Sequence, residues 1–142
     1  ISADPTVPTR VQLWYDQEEA RSATGYARLT DMFTTVEARW NPRPALGVVM
    51  AAANYPDTPK TGDVIHGLHV PLAEGSKVFH AGTRFDGDGN IVTSGGRVLC
   101  VCALGLTVAA AQHAAYAAMT NISWDGEFHR HDIGWRAIAR ED

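Results

Sequence analysis

From Ala45 onward, apolar residues gather into short runs separated by turn-forming residues. Ala45 to Ala53 is almost continuously apolar, the pattern of a strand covered on both faces. It stops at Asn54-Tyr55-Pro56-Asp57-Thr58-Pro59, whose residues favour a loop. Lys77 to Ala81 is the next short strand. Asp86-Gly87-Asp88-Gly89-Asn90 reads as a hairpin connection into Ile91-Val92-Thr93. Gly95-Gly96 then turns the chain into Arg97 to Leu104. In that segment Val98, Cys100 and Cys102 share one side while Leu99, Val101 and Ala103 share the other, so both faces are apolar and the strand should be central. Thr107 suits the N-cap of an alanine-rich run, Val108 to Met119, in which Val108, Ala111, Ala115 and Met119 recur at helical spacing. Beyond it, Trp124, Phe128 and Trp135 are expected to fold back onto the sheet.

Upstream the pattern is weaker. Ile1 to Pro8 is turn-rich, Val11 to Tyr15 suits a short strand, and Asp16 to Phe33 has a patchy helical period broken by Gly25. The seam between the two regions is Asn41-Pro42-Arg43-Pro44, where the prolines exclude helix and restrict their neighbours.

Composition sets bounds on function. The chain has 142 residues, 45% of them hydrophobic and 20% charged, with a net charge of −4. These values provide for one domain with a real core and do not fit a disordered tail. The acidic balance argues against a dedicated nucleic-acid binder. The most apolar stretch, Val98 to Tyr116, is interrupted by Gly105, Thr107, Gln112 and His113, so no membrane span is expected. The two cysteines, Cys100 and Cys102, lie i,i+2 on a strand and are poorly placed to bridge. That excludes a disulfide framework and points to a reducing, cytoplasmic setting. With Ile1 first and no leader pattern, the sequence reads as a piece of something larger.

Several constellations suggest chemistry. Asp86, Asp88 and Asn90 imitate the start of a calcium loop, but Ile91 stands where the invariant glycine belongs and Arg97 where the bidentate glutamate belongs. His129 and His131 with Asp132, and the pair His66 and His69, are too few to anchor zinc, so no metal site is expected. Cys100 and Cys102 read as buried, with thiol pKa values raised and reactivity low. Hydrolase elbows, Walker loops and dinucleotide fingerprints are missing from the sequence. Asp132 is expected to cap the turn that follows it, with Arg136 pairing to it. Gly95-Gly96-Arg97 is compatible with a tight turn and also with ligand contact, through close-approaching N–H groups and a fixed positive charge.

A family resemblance extends this reading. The segments Ala45 to Ala52, Tyr55-Pro56, Lys60 to Leu68, Lys77 to Thr83 and Val92 to Leu99 resemble, in order and spacing, the C-terminal domain of phosphoribosylamine–glycine ligases, which are ATP-grasp enzymes. So do Ala103-Leu104-Gly105, Ala115-Tyr116, Trp124-Asp125-Gly126 and Asp132 to Ala137. The chain departs from that pattern at Asn54 and Asp57, where the family usually has glycine, at Ser94 for asparagine, at Cys102 for threonine and at Ala110 for glutamate. Pattern and resemblance together give an α+β fold, a mostly antiparallel and partly barrel-like sheet with one main amphipathic helix at about 107–120 packed on it. Residues 40–142 form the ligase-like domain, and residues 1–39 are an unassigned or foreign segment.

The resemblance implies an accessory domain of a ligase that uses ATP and magnesium to join glycine to phosphoribosylamine in purine synthesis. It places the phosphate- and metal-binding parts upstream, so this chain should hold no cofactor, contain no catalytic residue and be inactive alone. Gly95, Gly96 and Arg97 are the substrate-proximal candidates. The expected partner is the ATP-grasp core. The alternative is a recombined or chimeric module that folds independently and self-associates through exposed apolar surface, with neither nucleic acid nor membrane as partner.

Overall fold

The computed structural model describes residues 41–141. The expectations for Val11 to Tyr15, Asp16 to Phe33 and the rest of residues 1–39 lie outside the described residues.

Among the described residues, five strands and two helices follow in order. They are β1 (Ala45–Ala51), β2 (Ser76–His80), β3 (Thr83–Phe85), β4 (Ile91–Thr93), β5 (Arg97–Leu104), α1 (Val108–Met119) and the single turn α2 (Trp135–Ile138). Strand β5 is central to an antiparallel sheet of order β1-β5-β2, as its two apolar faces require, and β3 and β4 form a separate hairpin. In the connecting turn, Asp86 Oδ1 accepts N–H bonds from Asp88 and Asn90 at 2.9 and 2.8 Å, and Oδ2 accepts from the Asn90 side chain. This Asx arrangement is what the aspartates do there. The fold is α+β with mostly antiparallel sheets and one main helix, as expected; among the described residues the sheets do not close, which corrects only the partly barrel-like part of that expectation.

Helix α1 buries Ala111, Ala115 and Met119, with Val108 half-buried beside them, and packs on β1 and β5. Beneath it lie Leu46, Val48, Met50, Leu99, Val101 and Ala103, all buried. Small alanine side chains let the helix come close to the sheet, and Ile65, Ile122 and Trp124 complete the core. The start of α1 is well satisfied. Ala110 N–H donates to Thr107 Oγ1 at 3.0 Å, and the Glu141 carboxylate accepts from Val108 and Ala109 at 2.5 and 3.2 Å. Three otherwise unpaired donors are thereby closed, and a negative charge meets the positive end of the helix dipole.

Two burial expectations are corrected. Strand β1 is not covered on both faces, because Ala45, Gly47 and Val49 are exposed while Leu46, Val48 and Met50 are buried. The covering helix lies on one side only, and apolar composition does not reveal which side is covered. Of the three tail aromatics, Trp124 is buried at 6% exposure, whereas Phe128 and Trp135 keep 44% and 53%. Phe128 instead adds a backbone bridge to Ala51, and Trp135 carries the Arg136 guanidinium over its ring at 5.1 Å.

Replacing Thr107 with alanine removes one of the three caps. We expect a loss of about 1 kcal/mol, read as a lower urea midpoint with an unchanged slope.

Candidate functional site

The side of the sheet away from α1 carries Gly47 and Val49 from β1, Cys100 and Cys102 from β5, and Lys77 and Phe79 from β2. Register places Gly47 opposite Cys102, Val49 opposite Cys100, and Lys77 and Phe79 opposite the same two cysteines. Val49 and Phe79 are 41% and 47% exposed. At the end of this face nearest the start of β5 is a groove of about 390 Å³, with Gly47, Val49 and Ala51 along it. Tyr55 and Pro56 line it from the loop after β1, Arg97 from β5, and Phe128, His129, Arg130 and Ile133 from the tail.

Arg97 reaches this groove because β5 is bulged. Register runs from Met50 opposite Leu99 to Ala51 opposite Arg97, so Val98 is the extra residue. Strict alternation would put Arg97 on the side of Leu99 and Val101, under α1. With the bulge, consecutive Val98 and Leu99 are both buried and Arg97 is exposed at the groove. It has no ion-pair partner among the described residues.

The two glycines before it are accounted for by packing. A Cβ on Gly96 would stand 2.2 Å from Tyr55 Cδ2 and 3.0 Å from Pro59, while Gly95 and Gly82 bring their backbones together. Gly96 O also accepts from Ala52 N–H at 2.9 Å. Of the three candidates, Arg97 lines the groove, Gly96 makes room for a residue that lines it, and Gly95 supports the turn below.

The Tyr55 loop follows Asn54, whose φ of 66° is left-handed. Asparagine tolerates this region better than any residue except glycine, so the departure from the family pattern at Asn54 is conformationally conservative. Lys60 ties the loop down through Asp125 Oδ2 at 2.5 Å and Asp63 Oδ1 at 2.8 Å. Hydrogen bonds to Asp125 and then Asp63 push the Lys60 ammonium up to about 12, and Lys60 in turn holds the Asp125 carboxyl below its ordinary value.

On the opposite wall, His129 Nδ1 lies 2.8 Å from Glu127 Oε1, both side chains being mostly buried. The His131 ring meets His129 edge-on at 4.6 Å. Arg130 is committed to Asp132 through two bonds of 2.8 and 2.6 Å, which lower the Asp132 carboxyl and raise the guanidinium. The expected pairing of Asp132 with Arg136 is therefore corrected, since Arg130 is nearer along the chain and stacks no ring. Nor does Asp132 cap α2, whose N-cap is Gly134 with no side-chain bond. Among the described residues no three His, Cys, Asp or Glu side chains gather to hold a metal ion, and His66 and His69 are both exposed. The cysteines are half-buried, not buried, because no helix among the described residues covers their face, although burial still pushes the Cys102 thiol up to about 11. Residues that sequence reasoning missed, Tyr55 and His129 as groove walls and Lys60 as the tie, depend on contacts between distant segments. Local pattern carried no signal for them.

Two outcomes follow from this geometry. Gly96→Ala should displace the Tyr55 ring and cost about 1–3 kcal/mol by overpacking, measured by urea unfolding. For Lys60, the sign follows from its partners. The depressed Asp125 contributes at neutral pH and loses its contribution as pH falls through its lowered value, while Lys60 contributes until pH rises through about 12. Lys60→Met should therefore lower the urea midpoint slightly at pH 7 and leave it equal to the parent's at a pH below the carboxylate range.

Comparison with known proteins places this geometry. The family model described as phosphoribosylglycinamide synthetase, C domain, matches residues 45–136. The phosphoribosylamine–glycine ligase of Escherichia coli K12 is 62% identical over 104 residues, covering 73% of this chain and 24% of that protein. That of Vibrio parahaemolyticus is 55% identical over 115 residues, covering 81% of this chain and 27% of that one. The crystal structure of the Thermotoga maritima ligase superposes with a TM-score of 0.54 at 38% identity, over 63% of this chain and 21% of the other. The chain thus spans about a quarter of the length of the curated relatives it matches. With a family match across most of its length and a shared fold, this chain belongs to the phosphoribosylglycinamide synthetase C-domain family.

Proposed function

We propose that this chain serves as the C-terminal accessory domain of a ligase joining glycine to phosphoribosylamine in cytoplasmic purine synthesis, and does not catalyse the reaction alone. The observation that carries the reading is the bulge at Val98, which holds an exposed guanidinium, unpaired among the described residues, at a mostly apolar groove in a domain 62% identical to part of such a ligase. A fixed positive charge on an apolar wall suits an anionic carboxylate or phosphate held against it. ATP and magnesium supply phosphoryl activation in this reading. The groups that would hold them lie, in this reading, in the part of the ligase that this chain does not match. The chain's own contribution is to wall the cleft, exclude water and present Arg97. The open sheet face with Val49 and Phe79 is the surface that would meet the ligase core.

The test is a transplant. Residues 45–136 replace their counterpart in the E. coli ligase, and ADP release is followed with glycine and phosphoribosylamine. We expect turnover by the transplant and none by the 142-residue chain alone. Arg97→Ala in the transplant should lower kcat/KM for the amine or for glycine roughly 10- to 100-fold, the worth of one hydrogen bond to a charged group. Activity of the isolated chain would overturn the accessory role, and unchanged kinetics in the Arg97 variant would overturn the groove assignment. The exposed Val49 and Phe79 also favour a second reading, an independently folding module that self-associates without catalysis. Sedimentation showing oligomers, together with an inactive transplant, would support it.

A further inference from the structure

The cysteine pair lies on the open sheet face but takes no part in the groove or in the ties around it. Cys100 and Cys102 are the only two cysteines in the chain, side by side on the open face of β5, with Sγ atoms 3.7 Å apart. Their neighbour across the sheet is Gly47, and this is where its missing side chain matters. A Cβ there would stand 2.9 Å from one sulfur and 3.0 Å from the other, closer than real contacts allow. Glycine at position 47, which itself lines the groove, leaves room beside both half-buried sulfurs that any side chain would take.

The spacing discriminates among uses of a dithiol. A disulfide needs about 2.05 Å, so direct bridging would require the strand to move. A linear two-coordinate ion with sulfur bonds of about 2.3 Å would need the sulfurs roughly 4.6 Å apart. Two sulfurs bound at about 2.3 Å to one bent centre, pyramidal or tetrahedral, lie roughly 3.4 to 3.8 Å apart, a range that includes what β5 already provides. Because no third His, Cys, Asp or Glu joins them among the described residues, the centre must be satisfied with two protein ligands.

We propose that Cys100 and Cys102 form a preorganised chelating site for a soft, bent-coordinating thiophilic centre, of which trivalent organic arsenic is the type. The step is a condensation. Two S–As bonds form, the oxygen of the arsenoxide leaves as water with the two thiol protons, and no atom changes oxidation state. The site rests on its own geometry and stands whether or not the chain acts within a ligase.

The probe is phenylarsine oxide, added to the full chain after reduction with a phosphine, with intact mass and maleimide labelling as readouts. One equivalent should give one adduct and protect both thiols together, protection being reversed by a small dithiol and not by a monothiol. Cys102→Thr should lose the adduct and leave Cys100 open to labelling. Gly47→Ala, which keeps both thiols, should bind on the order of tenfold more weakly as the preorganisation is lost. Since the parent protein alone gives the protection result, the proposal stays testable if a variant fails to fold. Independent labelling of the two thiols in the presence of one equivalent would overturn it. So would equal capture by the folded chain and the urea-unfolded chain, which would credit the local Cys-x-Cys sequence and not the fold.

Discussion

Strands β1 and β5 are hydrogen-bonded along their length, and what the domain can present depends on how that pairing ends. From Ala45 opposite Leu104 to Met50 opposite Leu99 the two strands keep step, and their helix-facing residues form the floor on which α1 rests. At Val98 they lose step by one residue. Without that slip, period-two geometry would carry Arg97 beneath the helix, where an unpaired guanidinium costs several kcal/mol. The bulge avoids that cost and converts a core position into a surface one. Core and groove are therefore two consequences of one ladder.

The same ladder separates two surfaces of opposite character. On the helix side, alanines and branched residues interlock with little exposed area. On the other side, Val49, Phe79 and the two cysteines remain partly in water, and Lys77 lies over the Phe79 ring at 5.3 Å. The covered side supplies the apolar burial that the open side lacks. Within the described residues, helix and sheet satisfy each other, since the core is built from α1, β1 and β5 with Ile65, Ile122 and Trp124.

Much of this was legible in the residues. The alternation in Arg97 to Leu104 identified a central strand, Thr107 and the alanine spacing identified α1 with its buried face, and the Asp-Gly run identified the β3–β4 turn. These features repeat locally, which is what pattern reading detects. Misreadings came where apolar composition was equated with burial. Gly47, Val49, Cys100, Phe128 and Trp135 all face partly outward because no element among the described residues covers them, and coverage is a tertiary property. The bulge was illegible because Val98 and Leu99 are both apolar, so a register slip leaves no mark on the pattern. Arg97 was picked out for its glycine neighbours. Its place at the groove is owed to Val98, while the glycines serve the Tyr55 ring and the turn beneath.

The clamp between Glu141 and the first turn of α1 has a dynamic consequence. Helix ends ordinarily fray, and their first amides exchange with solvent freely. Here the amides of Val108 and Ala109 are bonded to a carboxylate more than thirty residues further on, which closes the segment bearing His129 and Arg130 into a loop. Peeling that wall back would unlatch the helix at its origin. The far side of the groove and the start of α1 should thus open and shut as one cooperative unit, with matched hydrogen-exchange rates.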